Sequence, residues 1–289
     1  MSATGGQLPV SVALIVKDEA ERLPEMLASL PGRGEEVVAL DTGSGDCTVA
    51  LLQAHGARVE PGALDDDFSA ARNAALALCT RPWVLVLDAD ERLPAAAGEV
   101  LAAWTRSCRY DGYWLARDNH APDGTRLFGD QVLRLFRNLP EIRFTGAVHE
   151  SVAPAIAARG GRTAQLPLTL RHAAVRLDPV KSDRYLRLLA REQAREPENW
   201  SLWDHAGCEY FRRGEYVAAL AAFDYICRRQ AQYPVAYGNA GLLLARYLGD
   251  PARAAGYLAE AVRQEPDNDE ARRLLKQVTD GGGGGYDEV

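Results

Sequence analysis

The sequence predicts an α/β domain of Rossmann-like character, a parallel sheet with helices on both faces, followed by a smaller all-α domain. Two observations carry the first half: apolar runs that each stop abruptly at polar residues, and helical patterns that separate those runs. The third is a change after about residue 176, where small and large residues begin to recur 34 positions apart.

Val10 to Val16 is a near-continuous apolar run, as expected for a strand buried on both faces, and it breaks at Lys17-Asp18-Glu19. An amphipathic helix with Leu23, Met26, Leu27 and Leu30 follows. Val37-Val38-Ala39-Leu40 then ends at Asp41, a Thr42-Gly43-Ser44-Gly45 turn comes next, and Asp46 is expected to cap a helix running through His55, closed by Gly56. Arg58-Val59-Glu60 reads as a short strand, and Ser69 as the cap of a helix from Ala70 to Cys79. Trp83 to Leu87 is the next apolar run and ends in Asp88-Ala89-Asp90-Glu91. Side chains alternate along an extended backbone, so Asp88 and Asp90 are expected on one side, converging on one cation. Paired hard oxygens suit Mg²⁺ or Mn²⁺ completed by a substrate diphosphate. In open α/β sheets ligands bind outside the carboxyl ends of the strands, and Lys17 to Glu19, Asp41, and Asp88 with Asp90 all fall there.

Composition excludes some classes. The 289 residues suffice for about two domains, and 47% hydrophobic residues can supply a core. A net charge of −7 argues against a nucleic-acid partner. Met1 to Leu8 has neither the basic start nor the apolar core of a signal peptide, and no run approaches the ~20 residues that span a bilayer, so a cytoplasmic enzyme is expected. Cys47, Cys79, Cys108, Cys208 and Cys227 form no Cys-x-x-Cys pair and read as ordinary buried thiols.

The second half opens on Asp178-Pro179, a capping Asp with Pro in the first turn, and Tyr185, Leu188 and Leu189 give that helix an apolar face. Trp203, Gly207, Tyr210, Ala219 and Phe223 match the small and large positions of a tetratricopeptide helix pair. Gly241 follows Gly207, and Tyr257 follows Phe223, by that same spacing. Pro234 and Pro266 close the two units, and Asn268 to Val278 reads as a capping helix. The expected boundaries are 1–176 for the α/β domain, 177–280 for the helical domain and 281–289 for a disordered Gly-rich tail. Two repeats are few for such a stack, so they are expected to pack on the helix from Pro179 and on the first domain.

Four ordered segments, Ser11 to Glu19, Ala39 to Thr48, Asp66 to Asn73 and Leu87 to Glu91, resemble the motifs of bacterial family 2 glycosyltransferases of the GT-A fold. A fifth block, Arg134 to Asn138 with Phe144 to Glu150, resembles the branch of lipopolysaccharide-core glucosyltransferases and peptide glycosyltransferases. The resemblance covers roughly the first 190 residues. It departs mildly at Asp18, where the branch carries Asn, and at Gly45, where it carries Ser, Thr or Asn. A dinucleotide-binding domain would need a glycine-rich turn where Lys17-Asp18-Glu19 stands, and a P-loop would need Gly-Lys-Ser/Thr, which does not occur. A haloacid-dehalogenase-like phosphatase would need Thr or Val where Arg92 stands. The alternative from another class is a tetratricopeptide adaptor carrying a degenerate transferase domain.

The resemblance implies a metal-dependent inverting hexosyltransferase using a UDP-linked sugar, UDP-glucose for example. Val16, Lys17, Glu19 and Asp41 then belong to the nucleotide site, with Asp41 accepting from the uracil imide. Arg72 and Asn73 are expected at the nucleoside. Asp88 takes the ribose or an outer-sphere metal contact, Asp90 is the direct metal ligand, and His172 is a further metal or diphosphate ligand. Glu150 is the candidate general base, with Asp130 in reserve, and Arg137 or Arg143 as Glu150's possible ion-pair partners. Lys181 and Arg184, on the first helix of the second half, are the basic residues expected to reach the diphosphate. Trp104, Tyr113 and Trp114 offer rings for a sugar to stack on, or for the core. The implied acceptor is a glycan, a lipid-linked molecule, a peptide or a small molecule, and the repeats suggest a peripheral membrane or protein contact.

Overall fold

The computed structural model describes residues 7–64, 66–120, 126–146, 150–173 and 179–280, excepting the side chains of residues 119 and 126–130. The chain divides into two compact units, Met1–Arg176 and Leu177–Val289.

The first unit is built on β1 (Val10–Val16), β2 (Glu36–Asp41), β3 (Arg58–Pro61), β4 (Trp83–Val86), β5 (Glu91–Arg92), β6 (Gly112–His120), β7 (Arg126–Arg137) and β8 (Thr163–Ala173). Among the described residues these make one sheet, in the order β3-β2-β1-β4-β7-β6-β8-β5. The first four strands run parallel and β7 is antiparallel to β4. Val10, Val12, Leu14 and Val16 of β1 enter one apolar cluster and Ala13 enters another. Both faces of the strand are therefore covered, which is why its sequence is apolar apart from Ser11 instead of alternating.

The connecting helices are α1 (Leu23–Ala28), α2 (Thr48–Ala54), α3 (Phe68–Leu78), α4 (Ala97–Trp104) and α5 (Ala153–Ala158). Two expected caps are corrected. Asp67, not Ser69, caps α3 by accepting from the Ala70 N–H, while the Ser69 hydroxyl donates to the Gly146 carbonyl at 2.6 Å. Cys47 occupies the cap position of α2; Asp46 accepts from the Thr48 and Ala20 N–H groups and so ties two loops together. Tyr113 is fully buried, stacked on Trp83 at 5.5 Å and edge-on to Trp104 at 5.4 Å. Those two rings are core, and Trp114 packs on the second apolar cluster. The thiols also differ from expectation, because Cys47, Cys108 and Cys208 are exposed.

The second unit is a row of helices: α6 (Pro179–Arg195), α7 (Trp200–Arg212), α8 (Tyr216–Arg229), α9 (Pro234–Arg246), α10 (Pro251–Gln264) and α11 (Asp269–Asp280). The capping residue expected at 178 lies outside the described residues, as does the tail from 281. A Cβ on Gly207 of α7 would lie 2.6 Å from the Phe223 ring of α8, and one on Gly241 of α9 would lie 2.6 Å from Leu258 of α10. These glycines let each pair of helices close. The partner in the second pair is Leu258 and not Tyr257, whose hydroxyl instead bonds Asp224 across to α8. Gly207→Ala gains up to about 1 kcal/mol in helix propensity but forces a methyl against a ring that is 2% exposed, an overpacking of about 1 to 3 kcal/mol. A lower denaturant midpoint is the expected result.

Asp204 on α7 is a buried carboxylate whose Oδ1 has no partner among the described residues. Burial pushes it up to about 6, against a hydrogen bond from Asn239 that lowers it. A carboxyl whose folded pKa exceeds its unfolded value stabilises below the unfolded pKa and loses that contribution as pH rises through about 6. Asp204→Asn is therefore expected to be the more stable protein at pH 7 to 8, by on the order of 2 kcal/mol, with the difference vanishing near pH 4. Thermal melts across that range read it directly.

Candidate active site

The carboxyl ends of β1, β2 and β4 lie side by side, since Val16 pairs with Asp41 and the Leu87 N–H donates to the Ala13 carbonyl. The loops that leave them are laced together. The Val16 carbonyl accepts from the Thr42 N–H at 2.9 Å, and Asp41 accepts from the Gly43 and Ser44 N–H groups and the Ser44 hydroxyl. Asp18 sits at φ 54, a left-handed conformation that Asn and Asp tolerate. Its Oδ1 accepts from the Gly45 N–H at 2.7 Å. Glu19 pairs with Arg22 at 2.5 Å, and Lys17 is exposed.

After β4 the backbone turns instead of staying extended. The Glu91 N–H donates to the Asp88 carbonyl at 3.0 Å, and Glu91 Oε2 accepts from the Asp88 N–H at 3.1 Å. This turn replaces the strand alternation expected to aim Asp88 and Asp90 together, and the two carboxylates have different partners. Asp88 accepts from Arg72 Nη2 at Oδ1 and from Arg134 Nη2 at Oδ2, each at 2.6 Å. Burial pushes its pKa up, but Arg134 and Arg72 together outweigh that and hold it far below the usual carboxylate range. Arg134 also donates at 2.6 Å to Glu91, whose side chain is fully buried. Burial lowers the pKa of Arg134, yet the two carboxylates raise it above its ordinary value.

Asp90 has a different neighbour. Its Oδ2 lies 3.4 Å from His172 Nε2, and its Oδ1 is buried with no partner among the described residues. The antiparallel pairing of β5 with β8 sets Glu91 opposite His172, and the Ala173 N–H donates to the Asp90 carbonyl. Two residues 82 positions apart are thereby brought together. A buried carboxylate oxygen without a donor is costly, and a carboxylate beside an imidazole is a hard-to-borderline donor set that suits Mg²⁺ or Mn²⁺. Among the described residues no three His, Cys, Asp or Glu side chains form a cage by themselves. The pair therefore fits an ion that takes its remaining ligands from a substrate.

Glu150 accepts at Oε1 from Arg72 Nε at 3.0 Å, and no described residue bonds its Oε2. Its partner is thus Arg72 rather than Arg137 or Arg143. Arg143 donates to the Leu139 and Ile142 carbonyls, and Arg137 donates to carbonyls of Ser107 and Tyr110 and covers the Trp83 ring. Asn73 is committed at both ends of its amide, donating to the Phe144 carbonyl at 3.0 Å and accepting from the Phe144 N–H at 2.8 Å. The Asp130 side chain lies outside the described ones. Lys181 and Arg184 are on α6, in the second unit.

Sequence reasoning assigned no role to Arg134 or Glu91. A signal existed for Arg134, a charge in the middle of the apolar stretch from Val132 to Phe136, which is tolerated only with a buried partner.

The model of the family described as glycosyl transferase family 2 matches residues 11–157, just over half of the sequence and most of the elements above. The chain belongs to that family. Its sheet of parallel strands extended by antiparallel ones, with carboxylates at the strand ends, is the GT-A arrangement, and the row of hairpin helices follows it. A TPR repeat-containing protein of Synechococcus elongatus is 42% identical over 149 residues, covering 50% of this chain and 35% of that protein. The SPbeta prophage-derived glycosyltransferase SunS of Bacillus subtilis is 28% identical, covering 49% and 34%. The lipopolysaccharide core biosynthesis glycosyltransferase LpsC of Rhizobium meliloti is 29% identical over 236 residues, covering 75% of this chain and 86% of that protein. The chain thus spans about a third of the first two relatives. Among solved structures, S. aureus TarS 1-349 with UDP-GlcNAc aligns over 97% of this chain and 94% of that one, at 13% identity and a TM-score of 0.48.

Proposed function

We propose that this family 2 member is a metal-dependent, inverting glycosyltransferase that moves a hexose from a UDP-linked donor to a glycan, lipid-linked or peptide acceptor. The observation that carries the reading is Asp90: a buried carboxylate oxygen with no donor among the described residues, beside His172, at the carboxyl end of the sheet. In this reading Asp90 and His172 hold Mn²⁺ or Mg²⁺, which when bound neutralises the charge that develops on the leaving diphosphate. Asp88, pinned by two arginines, contributes through position and charge at the ribose side, and Asp41 with the Val16 to Glu19 loop frames the base. The acceptor side is the segment around Glu150. There the carboxylate takes the proton of an acceptor hydroxyl while that oxygen bonds to the anomeric carbon, on the face opposite the breaking bond to phosphate. Configuration at that carbon is inverted, and the nucleoside diphosphate leaves. The name of LpsC, a lipopolysaccharide core biosynthesis enzyme, supports a glycan acceptor.

The test is a thermal-shift screen of UDP-glucose, UDP-N-acetylglucosamine and GDP-mannose with and without Mn²⁺, since a ligand that binds only the folded state raises its apparent stability. A shift that needs both a UDP-sugar and the metal is expected. No shift with any nucleotide sugar, in protein that captures a peptide or protein partner, would favour an adaptor with a degenerate transferase domain.

A further inference from the structure

One face of α3 grips the segment that carries Glu150 at three points. Ser69, Arg72 and Asn73 stand at i, i+3 and i+4, so their side chains share that face. The Ser69 hydroxyl donates to the Gly146 carbonyl, Asn73 exchanges two hydrogen bonds with the Phe144 backbone, and Arg72 Nε donates to Glu150. Among the described residues beside it, Thr145 and Ser151 form one isolated bridge. Phe144 anchors one end of the segment in the second apolar cluster, edge-on to Phe136, and the polar grips come from α3.

The middle grip is different in kind, because Arg72 has a second partner. Its Nη2 holds Asp88, and Asp88 is fixed from the other side by Arg134, which is fixed in turn by the buried Glu91. A planar guanidinium bonded through two of its nitrogens, Nε and Nη2, sets the separation and tilt of both carboxylates, as a lysine ammonium cannot. With its side chain 8% exposed, Arg72 has little room to reach elsewhere.

We propose that Ser69, Arg72 and Asn73 form a positioning clamp for the general base, with Arg72 acting through Glu150 by tying it to Asp88 instead of by reading the nucleoside. The inference rests on Glu150 being the base. It explains why a buried arginine stands between a donor-side and an acceptor-side carboxylate, and it makes the placement of one depend on the other.

The test is a kinetic double-mutant cycle with Arg72→Met and Glu150→Gln. Arg72→Met is expected to lower kcat about 10²-fold, the scale of a small misplacement of a reacting group. In calorimetry, affinity for UDP with Mn²⁺ is expected to change by less than about threefold, because Arg134 still holds Asp88. In the Glu150→Gln background the same substitution is expected to cost less than about threefold, since residues acting as one unit are not additive. Equal losses in both backgrounds, or a loss carried mainly by donor affinity, would overturn the clamp. Two milder variants guard against misfolding. Arg72→Lys keeps the charge without the fork and should still lose most of kcat, and Ser69→Ala should lower kcat at unchanged donor KM. A denaturation cycle with Arg72→Met and Glu150→Ala, which removes the acceptor that Gln would keep, reads the contact without any turnover. Coupled destabilisation supports the clamp even where no transfer is found, in which case the proposed reaction is what fails, and independent effects overturn the clamp.

Discussion

Glu150→Gln is expected to lower sugar transfer by a factor on the order of 10² to 10⁴, the range for removing a positioned general base, while donor binding stays nearly intact. The amide is almost isosteric, and its oxygen can still accept from Arg72 Nε as the carboxylate does at 3.0 Å. Arg72 keeps Asp88 as a charged partner, so the substitution removes basicity without leaving a buried cation unpaired. Single-turnover transfer measures the chemical step, and calorimetry with UDP and Mn²⁺ measures the donor site. A collapse of donor affinity would assign Glu150 to the donor site or the fold, and Asp130 would become the candidate base.

What the sequence made legible and what it hid divide along a physical line. β1 was readable to the residue because burial on both faces leaves a run that is apolar apart from Ser11. The strand ends were readable because polar residues cannot continue such a run, so the sequence alone sets Asp41, Asp88 and Asp90 beyond the ends of their strands. Their partners were not readable. Arg72 meets Glu150 from 78 positions away, and Arg134 meets Asp88 from 46; periodicity is local and carries no record of which distant charge a buried carboxylate will find. Short-range chemistry misled where two residues compete for one role. Asp67 and Ser69 are both good caps, and the position was taken by Asp67 because Ser69 has a carbonyl to bond across the fold. Alternation along a strand failed at Asp88, where Glu91 bonds the Asp88 N–H and closes a turn. The repeat spacing found Gly207 and Gly241, but residue spacing does not fix which neighbour a glycine faces, and Gly241 faces Leu258, one position past the Tyr257 that repeats Phe223.

Asp90→Asn is the sharpest test of the donor end. Asp90 accepts no hydrogen bond at Oδ1 among the described residues, and its Oδ2 is 3.4 Å from an imidazole. Few native bonds are lost in the mutant, which is expected to fold, and an unchanged thermal midpoint without ligands would establish that. Asp88 is already bonded to two arginines, whereas the Asp90 carboxylate, beside His172, is placed to attract a divalent cation. A neutral amide presents one carbonyl oxygen without that charge, too little for an ion that must otherwise shed strongly held water. Metal-dependent nucleotide binding is therefore expected to fall below detection in calorimetry, and transfer to fall with it. Asp88→Asn should behave differently, losing stability because two buried arginines would face an amide in place of a carboxylate. Full UDP affinity with Mn²⁺ in a folded Asp90→Asn protein would remove Asp90 from the metal site, and the unpartnered oxygen would then need another explanation.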